Sequence, residues 1–175
     1  MAMLPTTGPG PALVLLACGT PPQICGLQAA AAASVARALQ RQLAGALPAQ
    51  PGPAAHNALA ELAPGTLVPL PQDPGHTSAD GSHWAELLGA WRQPCLLLIS
   101  AAQLDSGVAA AAHALLLHWQ VPLLGLVQWQ GPWDQQARLA DRLPWLGCLG
   151  GPEAEAAVVA LAAAQRTRQL QAQLL

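Results

Sequence analysis

The chain has 175 residues and a formal net charge of −2, a length that suits one domain able to bury its own core. Hydrophobic residues make up 53% of it and charged residues only 9%, about a third of the charged share usual in soluble domains, so disorder driven by charge is excluded. All seven basic side chains are arginines, and with no lysine, tyrosine or phenylalanine the chain offers neither a lysine ammonium nor a phenol to any chemistry.

The arginines are scattered from Arg37 to Arg168, with no basic stripe to neutralise a nucleic-acid backbone, so no nucleic-acid partner is expected. Apolar runs such as Ala12 to Cys18 and Ala109 to Leu117 fall well short of the ~18 to 20 residues of a membrane helix, and no membrane association is expected. No Lys or Arg precedes the first apolar run, and Gly8-Pro9-Gly10-Pro11 would break a signal helix. Leu15-Leu16-Ala17-Cys18 has the outline of a lipoprotein cleavage box without its basic region, and the cytoplasm is the expected location. The four cysteines, Cys18, Cys25, Cys95 and Cys148, lie far apart with no C-x-x-C and read as reduced, structural thiols. His76 and His83 lie in a Gly/Ser/Asp loop that reads as solvated rather than metal-binding.

Residues 1–10, rich in Pro, Gly and Thr, read as a flexible arm, and 11–175 as a single domain. The continuous apolar run Ala12 to Cys18, ended by Gly19-Thr20-Pro21-Pro22, predicts a strand buried on both faces. Leu27 to Leu47, rich in Ala, Leu, Gln and Arg, predicts a helix closed by the Pro/Gly stretch Pro48 to Pro53. A short helical piece at Ala54 to Leu62, a strand at Gly65 to Leu70, a loop at Pro71 to Ser82 and a helix at His83 to Trp91 follow. Cys95 to Ser100 and Val121 to Gln128 read as strands around a helix at Gly107 to Trp119. The last elements are a helix at Asp134 to Leu143, a strand at Trp145 to Leu149 and a helix at Pro152 to Leu174. The alanine tracts at Ala29 to Ala33 and Ala109 to Ala112 are helix filler rather than a repeat. Strands separated by helices imply a three-layer, doubly wound, mostly parallel α/β sheet, whose ligands sit beyond the C-terminal strand ends. The loops after Cys18, Leu70, Ile99 and Gln128 are therefore the ones that matter.

Five segments, in order, carry a resemblance. They are Leu15-Leu16-Ala17-Cys18-Gly19-Thr20 before a helix, Glu61-Leu62-Ala63-Pro64-Gly65-Thr66-Leu67-Val68-Pro69-Leu70, and Gln93-Pro94 with the run Cys95 to Leu104. Val121-Pro122-Leu123-Leu124-Gly125-Leu126-Val127 and Leu143-Pro144-Trp145-Leu146-Gly147-Cys148-Leu149 complete the set. Together they resemble dethiobiotin synthetases, P-loop ATPases of the biotin pathway that close a ureido ring from a diamine, CO2 and ATP. The resemblance implies a P-loop NTPase-like fold, ATP and Mg2+ as cofactors, and a homodimer. It further implies nucleotide contacts at Gly19, Thr20, Gly26, Gln128, Gly131 and Pro132, with Glu61 on the magnesium side.

The departures bear on the chemistry. A phosphate loop cradles phosphate with backbone N–H groups, reaches the terminal phosphates with its lysine and holds magnesium through a hydroxyl. Here Leu27 stands at the lysine position and Gln28 at the hydroxyl position, while Pro21 and Pro22 delete backbone donors. Phosphoryl transfer rests on positioning and electrostatics, so those losses remove its main contributions. The family is also longer, and the shortfall falls between Leu47 and Glu61, where its second strand and much of its substrate site lie. By itself Glu61 reads as a solvated helix-end glutamate, and His113 as a half-buried helix-face histidine rather than the family's histidine. The amides and tryptophans of Gln128-Trp129-Gln130-Gly131-Pro132-Trp133 suit a base edge, a core cap or a partner surface. Two readings follow. One is a diverged dethiobiotin synthetase with weak or no catalysis; the other is a non-catalytic pseudoenzyme or interaction subunit, with another protein chain as its partner.

Overall fold

Leu13–Ala17, five apolar residues all buried, forms the inner strand β1 of the computed structural model, which describes residues 10–173. The next elements are α1 (Pro21–Ala38), β2 (Gln42–Leu43), α2 (Pro53–Ala60), β3 (Thr66–Pro69), α3 (Trp84–Ala90) and β4 (Cys95–Ser100). After a 3-10 turn at Ala101–Gln103 come α4 (Val108–His118), β5 (Leu123–Trp129), α5 (Gln135–Ala140), β6 (Trp145–Leu149) and α6 (Glu153–Gln173). Residues 1–9 of the expected arm and Leu174 of the expected last helix lie outside the described residues.

The six strands form one parallel sheet in the order β2-β3-β1-β4-β5-β6. Leu13 stands beside Leu67, and Leu16 beside Leu97, so β1 has apolar neighbours on both sides. Alternation along each strand divides the core in two. Leu13, Leu15, Leu96 and Leu98 pack against α1 and α6 through Ala31, Val35 and Val159. Val14, Leu16, Leu97 and Ile99 face the other way, against Ala55 of α2, Trp84 and Leu88 of α3, and Leu116 of α4. The result is three layers, wound outward from β1 in both directions. The loops after β1 and β3 leave toward opposite faces, which makes the C-terminal end of β1 the switch point at which such folds form a crevice.

A bulge interrupts β5: Cys95 pairs with Leu123 but Leu96 with Gly125. The extra residue resets the side-chain alternation, so Leu124 and Val127 share one face while Leu123 and Leu126 share the other.

The predicted helix at Leu27 to Leu47 is corrected at both ends. Thr20 is the extended N-cap, and the prolines occupy the first two helical positions, where their missing N–H costs nothing and their fixed φ suits the helix. The helix ends at Ala38; Gln40 then adopts φ 52°, Arg41 N–H donates to Ala36 O at 2.8 Å, and the chain emerges as β2. The second strand is thus present, at Gln42–Leu43, ahead of the segment between Leu47 and Glu61 where a shortfall was expected.

Candidate functional site

At the end of β1 the turn into α1 is three residues long, Cys18, Gly19 and Thr20, and the N–H groups of Gly19 and Thr20 are both engaged by side chains of the same chain. Gly19 N–H donates to Asp73 Oδ2 at 2.9 Å, while Asp73 Oδ1 accepts from Gly75 N–H at 2.9 Å. The Asp73-Pro74-Gly75 turn after β3 therefore lays its carboxylate over the start of α1. Gln23 Oε1 accepts from both the Thr20 N–H and the Thr20 hydroxyl, each at 2.9 Å. Pro21 and Pro22 have no N–H to offer. An anion arriving here finds a carboxylate already seated on the Gly19 donor.

Three further glutamines lace the same end of the sheet. Gln103 Nε2 donates to Cys18 O at 2.8 Å, and its Oε1 accepts from Ser100 N–H and the Ser100 hydroxyl, each at 3.1 Å, tying the loop after β4 to the loop after β1. Gln28, buried on α1, donates from Nε2 to Leu15 O at 3.1 Å and Leu70 O at 2.8 Å, which joins the helix to β1 and to the end of β3. Gln128, fully buried in β5, donates from Nε2 to Gln130 O at 2.9 Å and Pro132 O at 3.0 Å and so shapes the following turn. Its Oε1 is buried with no partner among the described residues. The thiol of Cys18 is pushed up to about 12, first by burial and then by the charge of Asp73. It stays protonated at neutral pH and is no nucleophile.

The residues singled out in the sequence fall in three places. Gly19 and Thr20 form the turn, and Gln128, Gly131 and Pro132 stand at the same end of the sheet, two strands away, with Gly131 at φ 77°. Gly26 lies within α1, exposed and with open space where a Cβ would be, rather than in a loop. Leu27 packs toward the core that holds Ala31 and Val35, so this position faces the sheet and not the turn. Glu61 is exposed at the C-cap of α2, before β3 begins, which puts it at the N-terminal end of the sheet. A five-residue strand at about 3.3 Å per residue leaves roughly 15 Å between that end and Gly19, so Glu61 cannot share a metal with the turn. Among the described residues no group of three or more His, Cys, Asp or Glu side chains is placed to hold a metal ion. His83 instead caps α3, accepting from Glu86 N–H at 3.3 Å, and packs edge-on against Trp119.

The tryptophans after β5 turn inward and sideways. Trp129 is buried, while Trp133 meets Trp145 edge-on with ring centroids 6.1 Å apart. Trp133 and Trp145 line a cavity of about 410 Å³ along the edge strand β6, between α5 and α6. Arg138 lies 5.1 Å over the Trp145 ring and 3.5 Å from Asp141. Sequence reasoning missed Asp73, Gln23 and Gln103; the Asp-Pro-Gly turn was the readable signal for the first.

Comparison of the chain with protein families, curated proteins and solved structures gives no match.

Proposed function

We propose that this chain is a non-catalytic domain of dethiobiotin synthetase type, whose phosphate turn has closed on its own Asp73 and which works by binding a second copy of itself. The observation that carries this reading is the 2.9 Å bond from Gly19 N–H to Asp73 Oδ2. Anion binding at a helix start needs free N–H groups and suffers from a nearby negative charge. Here the two turn donors are taken, the next two residues are prolines and no lysine exists to reach a phosphate. Losing one well-placed electrostatic donor costs an enzyme about 3 to 4 kcal/mol, so several losses together leave no useful rate of phosphoryl transfer.

Association is supported at β6. Leu139 and Val158 line its groove at 69% and 60% exposure and give that face an apolar centre. Arg138 stands in one wall and Glu155 in the other, so a twofold axis would set each against its opposite in the second copy. The free thiols, three of them buried, fit a reducing compartment such as the cytoplasm.

Calorimetric titration of the full chain with ATP and ADP, with and without Mg2+, is expected to show no saturable binding, and magnesium-dependent binding would overturn the non-catalytic reading. Sedimentation is expected to show a dimer that Leu139→Asp with Val158→Asp converts to a monomer. A wild-type monomer at all concentrations would remove the association.

A further inference from the structure

Beneath the sheet, at the opposite end from the turn, lies a second cavity of about 300 Å³, at the lower end of the range for small-molecule sites. Its walls come from separate parts of the chain: Arg92 from the turn after α3, His113 and Leu117 from α4, Val121 from the approach to β5, and Arg166 and Leu170 from α6. No acidic side chain lines it. Among the described residues the one ion pair is Arg138 with Asp141, so the guanidinium groups of Arg92 and Arg166 carry no carboxylate partner. Arg166 gives one N–H to Gln169 Oε1 at 3.2 Å, yet its Nε is buried with no partner. A buried donor left unmade costs about 1 to 3 kcal/mol. In the groove along β6 the Nε of Arg138 is likewise buried without a partner, but there the charge is met by Asp141 at 3.5 Å.

We propose that this lower cavity binds a small aliphatic carboxylate. Arg92 and Arg166, both in its lining, would take the charged head, since a guanidinium forms short, charge-assisted bonds to paired oxygens. Leu117, Val121 and Leu170 line the space for its hydrocarbon body, and the imidazole of His113 borders the same space. The site shares no residue with the closed turn at the top of the sheet, and it stands or falls independently of the association at β6.

The probe is octanoate, titrated calorimetrically into the full chain at low ionic strength, with inorganic phosphate as the comparison. Octanoate is expected to saturate one site per chain and phosphate to bind at least tenfold more weakly. Arg166→Met and Arg92→Met are each expected to weaken octanoate at least tenfold, whereas Arg37→Met, at an exposed position of α1 outside both cavities, leaves it unchanged. Leu117→Glu, at a position 67% exposed and so harmless to folding, is expected to repel the ligand and weaken binding similarly. Absence of saturable binding, several equivalent sites indifferent to the arginine variants, or phosphate bound as tightly as octanoate would each overturn the assignment. If Arg166→Met fails to fold, Arg92→Met and Leu117→Glu decide the matter alone.

Discussion

Asp73 Oδ2 accepts the Gly19 N–H at 2.9 Å across 54 positions of sequence, closing the loop after β3 onto the loop after β1. The bond is exposed, and solvent screening holds the net contribution of such a contact to about 1 kcal/mol. Asp73→Ala is therefore expected to lower stability to urea by about that amount. It also frees the Gly19 donor, so a weak affinity for inorganic phosphate, absent in the wild type, is expected by calorimetry. No change in either quantity would show that the contact does not guard the turn.

Gln28 carries a heavier load because it is buried. Replacing it by Leu keeps the volume and leaves Leu70 O without the donor it has at 2.8 Å, whereas Leu15 O still receives the Leu70 N–H at 3.0 Å. One orphaned buried carbonyl costs about 1 to 3 kcal/mol, and a shift of that size in the denaturation midpoint is expected for Gln28→Leu.

The cysteines differ in reach. Cys25 is exposed on α1, whereas Cys18, Cys95 and Cys148 are buried with thiols pushed up, chiefly by burial. A thiol reagent at pH 8 is expected to modify Cys25 rapidly and the other three only on unfolding. Cys18 is raised from 9.0 to about 12, so the folded chain keeps a proton that the unfolded chain releases above pH 9. Its contribution is fully present below the unfolded value and is lost as pH rises through the folded one. Urea denaturation at pH 8 and pH 10 should show lower stability at the higher pH, and Cys18→Ala should reduce that slope.

At Gly89, α3 meets the end of α4 closely. A Cβ there would lie 1.9 Å from the backbone oxygen of Trp119 at the end of α4, and a backbone atom cannot swing aside. Gly89→Ala is expected to cost at least 1 to 3 kcal/mol, on the scale of an overpacked core, despite the better helix propensity of alanine. A thermal melt unchanged from wild type would mean that α3 and α4 can separate at little cost.

The strands β1, β4, β5 and β6 were legible because each is a continuous apolar run, which a parallel sheet covered on both faces demands. β2 was not: its residues are Gln42 and Leu43, both exposed on the sheet edge, and two residues carry no period. The start of α1 was obscured by spacing the turn as a phosphate loop, when Pro21-Pro22 after Thr20 already had the chemistry of a first helical turn. The lace at the top of the sheet was hidden for another reason. Gln28 and Gln103 look like ordinary helix and loop glutamines until the fold sets Leu70 O and Cys18 O beside them, 42 and 85 positions away.

The two edges of the sheet are unequal, and that governs how copies can add to one another. β2 ends one side with two residues, too short to template a neighbouring strand, while β6 ends the other with five. Strand-edge growth is thus open on one side and blunt on the other. If two copies join through β6, as proposed, the open edge of both is used up, and assembly is expected to stop at a closed pair rather than propagate into a filament.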